Sequence, residues 1–122
     1  MSANILTVDD SASIRLTTKV TLSNAGYNVT EAADGAEGLA TAKSRSFDLI
    51  VTDLNMPVMD GLTMIEELRK LPGQAGVPII FLTTESDADL KARAKAAGAT
   101  GWLTKPFDPE NLVKIVKKVL GR

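Results

Sequence analysis

The chain has 122 residues, 44% of them hydrophobic and 24% charged, with a formal net charge of −1. That suffices for one globular domain with a single core and gives no global attraction to nucleic acid or an anionic membrane. The absence of cysteine and histidine excludes disulfides, thiolate metal sites and imidazole chemistry, leaving oxygen ligands for any metal.

The N-terminal residues, MSANILTVDD, carry no positive region and no long apolar run, and no segment approaches a membrane span. The expectation is a cytoplasmic protein with one domain over residues 1–122. Residues 4–8 are a short apolar run that stops at Asp9-Asp10 and predicts the first strand. Ser11 is placed to cap a helix over 12–25, which Gly26 ends. The face of that helix is thin, with Thr17, Thr18 and Thr21 among Ile14 and Leu22. Residues 27–31 read as a second strand, Asp34-Gly35 as a turn, and 36–43 as a short Ala-rich helix carrying Leu39. In the third strand, 48–52, Leu49, Ile50 and Val51 follow without a break, as in a strand covered on both faces. Asp53 stands at its tip, followed by the loop residues Asn55, Pro57, Asp60 and Gly61.

Residues 62–71 form an amphipathic pattern with Ile65, Leu68 and Leu71 at helical spacing, stopped by Pro72-Gly73. The fourth and most apolar strand, VPIIFL at 77–82, leads into Thr83-Thr84-Glu85. Ser86 or Asp87 then caps a helix of alanine and charge, running to about residue 97, whose one large apolar residue is Leu90. Residues 100–104 make the fifth strand, and Lys105-Pro106 follows directly, a bond whose cis form stays open. Asp108-Pro109 opens the last helix as N-cap and first helical residue. Leu112, Ile115, Val116 and Val119 are its apolar stripe, and Lys117, Lys118 and Arg122 suit its C-terminal dipole.

Strand and helix thus alternate five times. Right-handed crossovers turn that order into a doubly wound parallel sheet with helices on both faces, an α/β fold that binds ligands at the strands' carboxyl ends. Those tips carry Asp9-Asp10, Asp53, Thr83 and Lys105, while Glu31-Ala32, ending the second strand, is left outside the site. Three crowded carboxylates are costly to bury unless a cation neutralises them, and Mg²⁺ suits an all-oxygen set. If Asp9 and Asp10 merely capped the first helix, Asp53 and Lys105 at neighbouring tips would be unexplained. A carboxylate beside Mg²⁺ can act as a nucleophile toward phosphorus. Lys105 would then neutralise a phosphoryl oxygen and Thr83 would donate a hydrogen bond to another. Trp102 reads as a packing aromatic, or as a ring that changes position when Thr83 is drawn to the phosphoryl group.

Asp9-Asp10, Asp53 within DLNMPVMDG, Thr83 and Lys105-Pro106-Phe107 together resemble the response regulator receiver domain, and within it the single-domain CheY-like chemotaxis regulators. The similarity covers the whole chain. It implies a flavodoxin-like three-layer sandwich with strand order 2-1-3-4-5 and five helices. It further implies that Asp53 accepts phosphate from a chemotaxis-type histidine kinase. Asp10 and Asp53 would ligate Mg²⁺ with the backbone carbonyl of Asn55, and Asp9 through water. Thr83 and Lys105 would contact the phosphoryl group, Thr83 and Trp102 would form the switch, and Asn55 and Glu85 would tune autodephosphorylation. Two departures stand out: the switch aromatic is more often Tyr or Phe than Trp102, and Thr84 is often a smaller Ala.

On this resemblance the protein is no enzyme beyond its own phosphorylation and dephosphorylation. It is expected to be a monomer that binds a flagellar motor switch protein or another output protein, with a dedicated phosphatase as a further partner. No nucleic acid or membrane is expected, since no effector domain follows. The expected output surface combines the helix after Thr84, the last strand and the last helix. Lys91, Arg93, Lys95, Lys114 and Lys118 there read equally as a solvated face. A phosphate sink, or a regulator of another two-component pathway, is the main rival. A phosphatase working through an aspartyl phosphate would need an acid/base two residues after Asp53, where Asn55 stands. A flavin or nucleotide carrier would need a Gly-rich or hydroxyl-rich loop that the chain lacks.

Overall fold

Among the residues described, five strands alternate with five helices: β1 (Asn4–Val8), α1 (Ala12–Asn24), β2 (Asn28–Ala32), α2 (Gly35–Ser44), β3 (Leu49–Thr52), α3 (Gly61–Leu68), β4 (Ile79–Thr83), α4 (Ala88–Ala96), β5 (Gly101–Thr104) and α5 (Pro109–Leu120). The computed structural model describes residues 3–54, 56, 59–71, 76–84, 88–105 and 107–121. The strands pair in parallel in the order β2-β1-β3-β4-β5, as expected. Val8 lies opposite both Ala32 and Thr52, Thr52 opposite Phe81, and Thr83 opposite Thr104. The register therefore brings all five carboxyl ends to one edge.

Alternation along each strand divides the core. Leu6, Val8, Ile50, Ile79 and Phe81 pack on one face, with Met64, Ile65 and Leu68 of α3, Ala42 of α2 and Ala94 of α4. Ile5, Leu49, Val51, Ile80 and Leu82 pack on the other, with Leu22 of α1 and Leu112 and Val116 of α5. Every residue of β3 and β4 is buried, whereas the edge strand β5 is half-buried or exposed along its length. Fully burying each such aliphatic side chain contributes about 1.5–3 kcal/mol, so the sheet centre is the rigid platform on which the site stands.

Capping follows the sequence pattern. The side chains of Ser11, Asp34, Asp60 and Asp108 accept backbone N–H groups in the first turns of α1, α2, α3 and α5. Most element boundaries shift by one or two residues from the sequence reading, and those of α2 and α3 have a clear cause. Gly35 is the first residue of α2 rather than a turn residue, because Asp34 takes the cap. Helix α3 starts at Gly61 and stops at Leu68 instead of running to Leu71. Beyond it, Arg69 donates from Nη1 to the Val77 carbonyl at 2.8 Å and from Nη2 to the Gly98 carbonyl at 2.8 Å, tying the end of α3 to the entry of β4 and the end of α4. Leu71 still packs against the core from outside the helix. Helix α4 buries only Ala94, with Leu90 half-buried, so it buries fewer residues than any other helix.

Candidate functional site

Asp9 leaves β1 with its N–H donating to the Ala32 carbonyl at 3.1 Å. Its Oδ1 accepts the Ser11 N–H at 2.9 Å, which folds the chain back into α1. Asp53 leaves β3 in the same way, donating its N–H to the Val8 carbonyl at 2.8 Å. Its Oδ1 accepts the Leu54 N–H at 2.8 Å, and the Thr52 hydroxyl donates to its carbonyl at 2.9 Å. Adjacent tips of one sheet thus hold two nearly buried carboxylates side by side, while Asp10 beside them is exposed. Asp9, Asp10 and Asp53 each offer an oxygen within 4.8 Å of the others.

Lys105 closes the group from β5. Its N–H donates to the Thr83 carbonyl at 2.7 Å, which fixes the start of its side chain at the tip of the sheet. Its Nζ lies 2.8 Å from Asp9 Oδ2 and 3.3 Å from Asp53 Oδ2, with the side chain only 8% exposed. One ammonium therefore pairs with two of the three clustered carboxylates, and negative charge remains in excess there. A divalent ion among oxygen ligands suits that excess and that donor chemistry. The donor set fits Mg²⁺.

Burial raises the Asp53 carboxyl above the ordinary carboxylate range; Lys105 opposes the rise, Asp9 adds to it, and the Leu54 N–H opposes it. A native carboxyl that holds its proton more tightly than the unfolded chain loses stability as pH rises through the interval between the two values. In metal-free buffer, Asp53→Asn is therefore expected to raise the melting temperature at pH 7, and the gain should shrink as the pH is lowered toward the ordinary carboxylate range. Thermal scans of both proteins check this; a gain independent of pH would contradict it.

Thr83 ends β4, fully buried. Trp102, opposite Phe81 in the sheet, is half-buried, its ring 5.8 Å from that of Phe81 and tilted by 57°. Lys91 of α4 places its ammonium 5.7 Å from the indole centroid, and the Trp102 Nε1 is buried without a hydrogen-bond partner among the described residues. Of the residues singled out in the sequence, Asp9, Asp10, Asp53 and Lys105 come together and Thr83 adjoins them through the Lys105 backbone. Trp102 stands further along β5. Asn55, Glu85 and the Lys105-Pro106 bond lie outside the described residues.

Sequence reasoning missed two contributions. Gly61 appeared only as a loop residue, yet a Cβ there would lie 2.2 Å from the Asp53 carbonyl oxygen and 2.8 Å from the Phe81 ring. Its N–H donates to the Leu54 carbonyl at 2.9 Å. Arg15, one turn into α1, donates from Nη1 to the Asp9 carbonyl at 2.6 Å. Its position one turn beyond Ser11 was a usable signal, since the first turn of a helix after a strand tip faces that tip.

The match to known proteins settles the class. The chain matches the response regulator receiver domain over residues 5–117. It belongs to the receiver domain family. The receiver fold also accounts for the structural likeness. Chemotaxis protein CheY4 of Vibrio cholerae is 48% identical, with a TM-score of 0.94, covering 98% of this chain and 99% of that one. The receiver domain of the Pseudomonas aeruginosa sensor histidine kinase PA1611, described with a magnesium ion coordinated in its active-site cleft, is 30% identical with a TM-score of 0.91 over 100% of both chains. Among curated relatives, the probable transcriptional regulator ycf29 of Porphyra purpurea is 36% identical over 100% of this chain and 58% of its own length. The chain spans about half the length of the curated relatives it matches. As a receiver domain it is a signalling component of two-component systems. No helix among the described residues is long and apolar enough to cross a membrane.

Proposed function

We propose that this receiver domain accepts a phosphoryl group on Asp53 from a phosphohistidine, with Asp9, Asp10 and Asp53 holding Mg²⁺, and that it serves a chemotaxis pathway. The observation that carries the reading is Lys105 Nζ set between Asp9 Oδ2 and Asp53 Oδ2 at 2.8 and 3.3 Å. A buried acid, Asp53, paired with a buried amine at a strand tip beside the Asp9-Asp10 pair, supplies the nucleophile and the charge that its product requires. In the transfer, a carboxylate oxygen of Asp53 bonds to phosphorus. The phosphorus–nitrogen bond breaks, and its electron pair stays on the imidazole nitrogen, which is left to take a proton. Mg²⁺ would supply the positive charge that lets an anionic phosphoryl group approach an anionic carboxylate.

Lys105, whose backbone is held by the Thr83 carbonyl, would meet a phosphoryl oxygen. Thr83, on the neighbouring tip, would donate its hydroxyl to another. A pull on Thr83 would be felt at Trp102, which lies on the strand paired with β4. The indole Nε1 has no partner among the described residues, so a second position that satisfies it would be favoured by a gained hydrogen bond. Helix α4, anchored by Ala94 and Leu90, is the element easiest to shift.

The likeness to CheY4 across both whole chains supports chemotaxis and a flagellar switch protein as the partner. A second reading draws on the relatives that are transcriptional regulators about twice as long: a receiver unit serving gene control. A pull-down from cell extract with Asp53 loaded with beryllofluoride and Mg²⁺ separates the two. Recovery of a flagellar switch protein in the loaded state alone is the expected result. Recovery of a DNA-binding regulator in its place would overturn the chemotaxis reading.

A further inference from the structure

The β1–α1 turn carries two of the three clustered acids, and its geometry is set from behind by residues outside the acid cluster. The guanidinium of Arg15 donates from Nη1 to the Asp9 carbonyl oxygen at 2.6 Å. That carbonyl belongs to the peptide joining Asp9 to Asp10, so its orientation fixes the directions in which both carboxylates leave the chain. Arg15 is itself fixed at two points. Its backbone N–H donates to the Ser11 carbonyl at 2.9 Å, the first turn of α1. Its Nε lies 3.6 Å from Glu31 Oε1, near the end of β2. Arg15 also lines a cavity of about 10 Å³ with Asp9, Thr18, Thr52 and Asp53, about the room one water takes. Glu31 is shared: Lys19 Nζ lies 3.6 Å from its other oxygen.

We infer that Arg15, braced by Glu31, is the positioning residue that holds the Asp9-Asp10 peptide in the orientation Mg²⁺ binding requires. The inference rests on the proposal that the three acids hold Mg²⁺. It assigns a role to Glu31, which the sequence reading left outside the site. Arg15 is a cation lining the same small cavity as two acids, so two roles for it predict opposite signs. Acting only as a charge, Arg15 repels a divalent cation, and its removal tightens binding. Acting as a brace on the peptide, its removal weakens binding, because the oxygens must then be ordered by the ion itself. Partners that orient metal ligands without touching the metal are typically worth about 10- to 100-fold in affinity.

The test is isothermal titration calorimetry of the whole chain with Mg²⁺ alone, compared across the native protein and its Arg15→Ala, Arg15→Lys, Glu31→Gln and Lys19→Met variants. Arg15→Ala should weaken Mg²⁺ by about tenfold. Arg15→Lys keeps the charge but cannot span the Asp9 carbonyl and Glu31 together, so it should weaken binding too. Glu31→Gln should weaken it in the same direction, by roughly threefold, because only the brace on Arg15 is loosened. Lys19→Met should leave affinity unchanged. Tighter or unchanged binding in Arg15→Ala and Glu31→Gln would overturn the inference while leaving the Mg²⁺ reading intact. Absence of Mg²⁺ binding in the native protein would overturn both. If Arg15→Ala does not fold, Glu31→Gln, altered at a partly exposed side chain, decides the question alone.

Discussion

Replacing Asp53 with asparagine is expected to reduce phosphoryl incorporation from acetyl phosphate and Mg²⁺ from one group per chain to none, measured by intact-protein mass spectrometry. The substitution is close to isosteric. The Leu54 N–H that now donates to Oδ1 at 2.8 Å can still donate to an amide oxygen, and Lys105 keeps its 2.8 Å contact with Asp9. What disappears is the anionic oxygen that attacks phosphorus, and a neutral amide oxygen is a far poorer nucleophile. Chelation of Mg²⁺ from the native protein should suppress labelling as well, because Lys105 and Arg15 together still leave the three acids with an excess of negative charge, which repels an anionic phosphoryl group. Labelling of Asp53→Asn to the native extent would remove Asp53 from its assigned role. Asp9 and Asp10 would be the next candidates, since they are the other carboxylates of the group.

Gly61→Ala should be nearly as damaging, by a purely steric route. A Cβ at this position would stand 2.2 Å from the Asp53 carbonyl oxygen and 3.2 Å from the Asp53 carbonyl carbon, with the Phe81 ring at 2.8 Å. Neither neighbour gives way cheaply. Phe81 is fully buried in the core, and the Asp53 backbone is pinned by its N–H to the Val8 carbonyl. Overpacking of this kind typically costs about 1–3 kcal/mol. For a domain of this size, that corresponds to a fall of roughly 5–15 °C in melting temperature. The larger effect is expected on phosphorylation, since a shift of about 1 Å at a reacting group can cost about 100-fold in rate. Gly76→Ala is the control: a Cβ there meets nothing among the described residues within 4 Å, so stability and labelling should stay within the ordinary scatter of surface changes. A Gly61→Ala protein that melts and labels like the native one would show that the α3 N-terminus can retreat from Asp53.

Much of this was legible in the chain itself because the signals are local. Apolar runs at 4–8, 48–52 and 77–82, separated by capped helical patterns, predict strand and helix by run length and spacing. Handedness then dictates a parallel sheet with its tips on one edge. Element boundaries were less legible. Asp34 and Asp60 each took the cap and drew the following glycine into the helix, so both helices begin one residue earlier than apolar periodicity alone implied. Leu71 fits the helical spacing of α3, yet lies beyond its end, where Arg69 reaches across to Val77 and Gly98. Periodicity records which side chains are buried, and a residue can be buried from a turn as well as from a helix.

By itself, the sequence determined the kind of chemistry available: no histidine, no cysteine, and acids, a hydroxyl and an amine at successive strand tips. Those are properties of residue type and of position along one segment, so one segment suffices to read them. Only the tertiary structure decided that one lysine reaches two acids at once, that Gly61 must lack a side chain because Asp53 lies against it, and that Arg15 grips the peptide between Asp9 and Asp10. Each of those facts is a distance between parts of the chain that local patterning does not relate. Such distances are set by sheet register and by the depth to which helices pack, which the sequence specifies only through the folded whole.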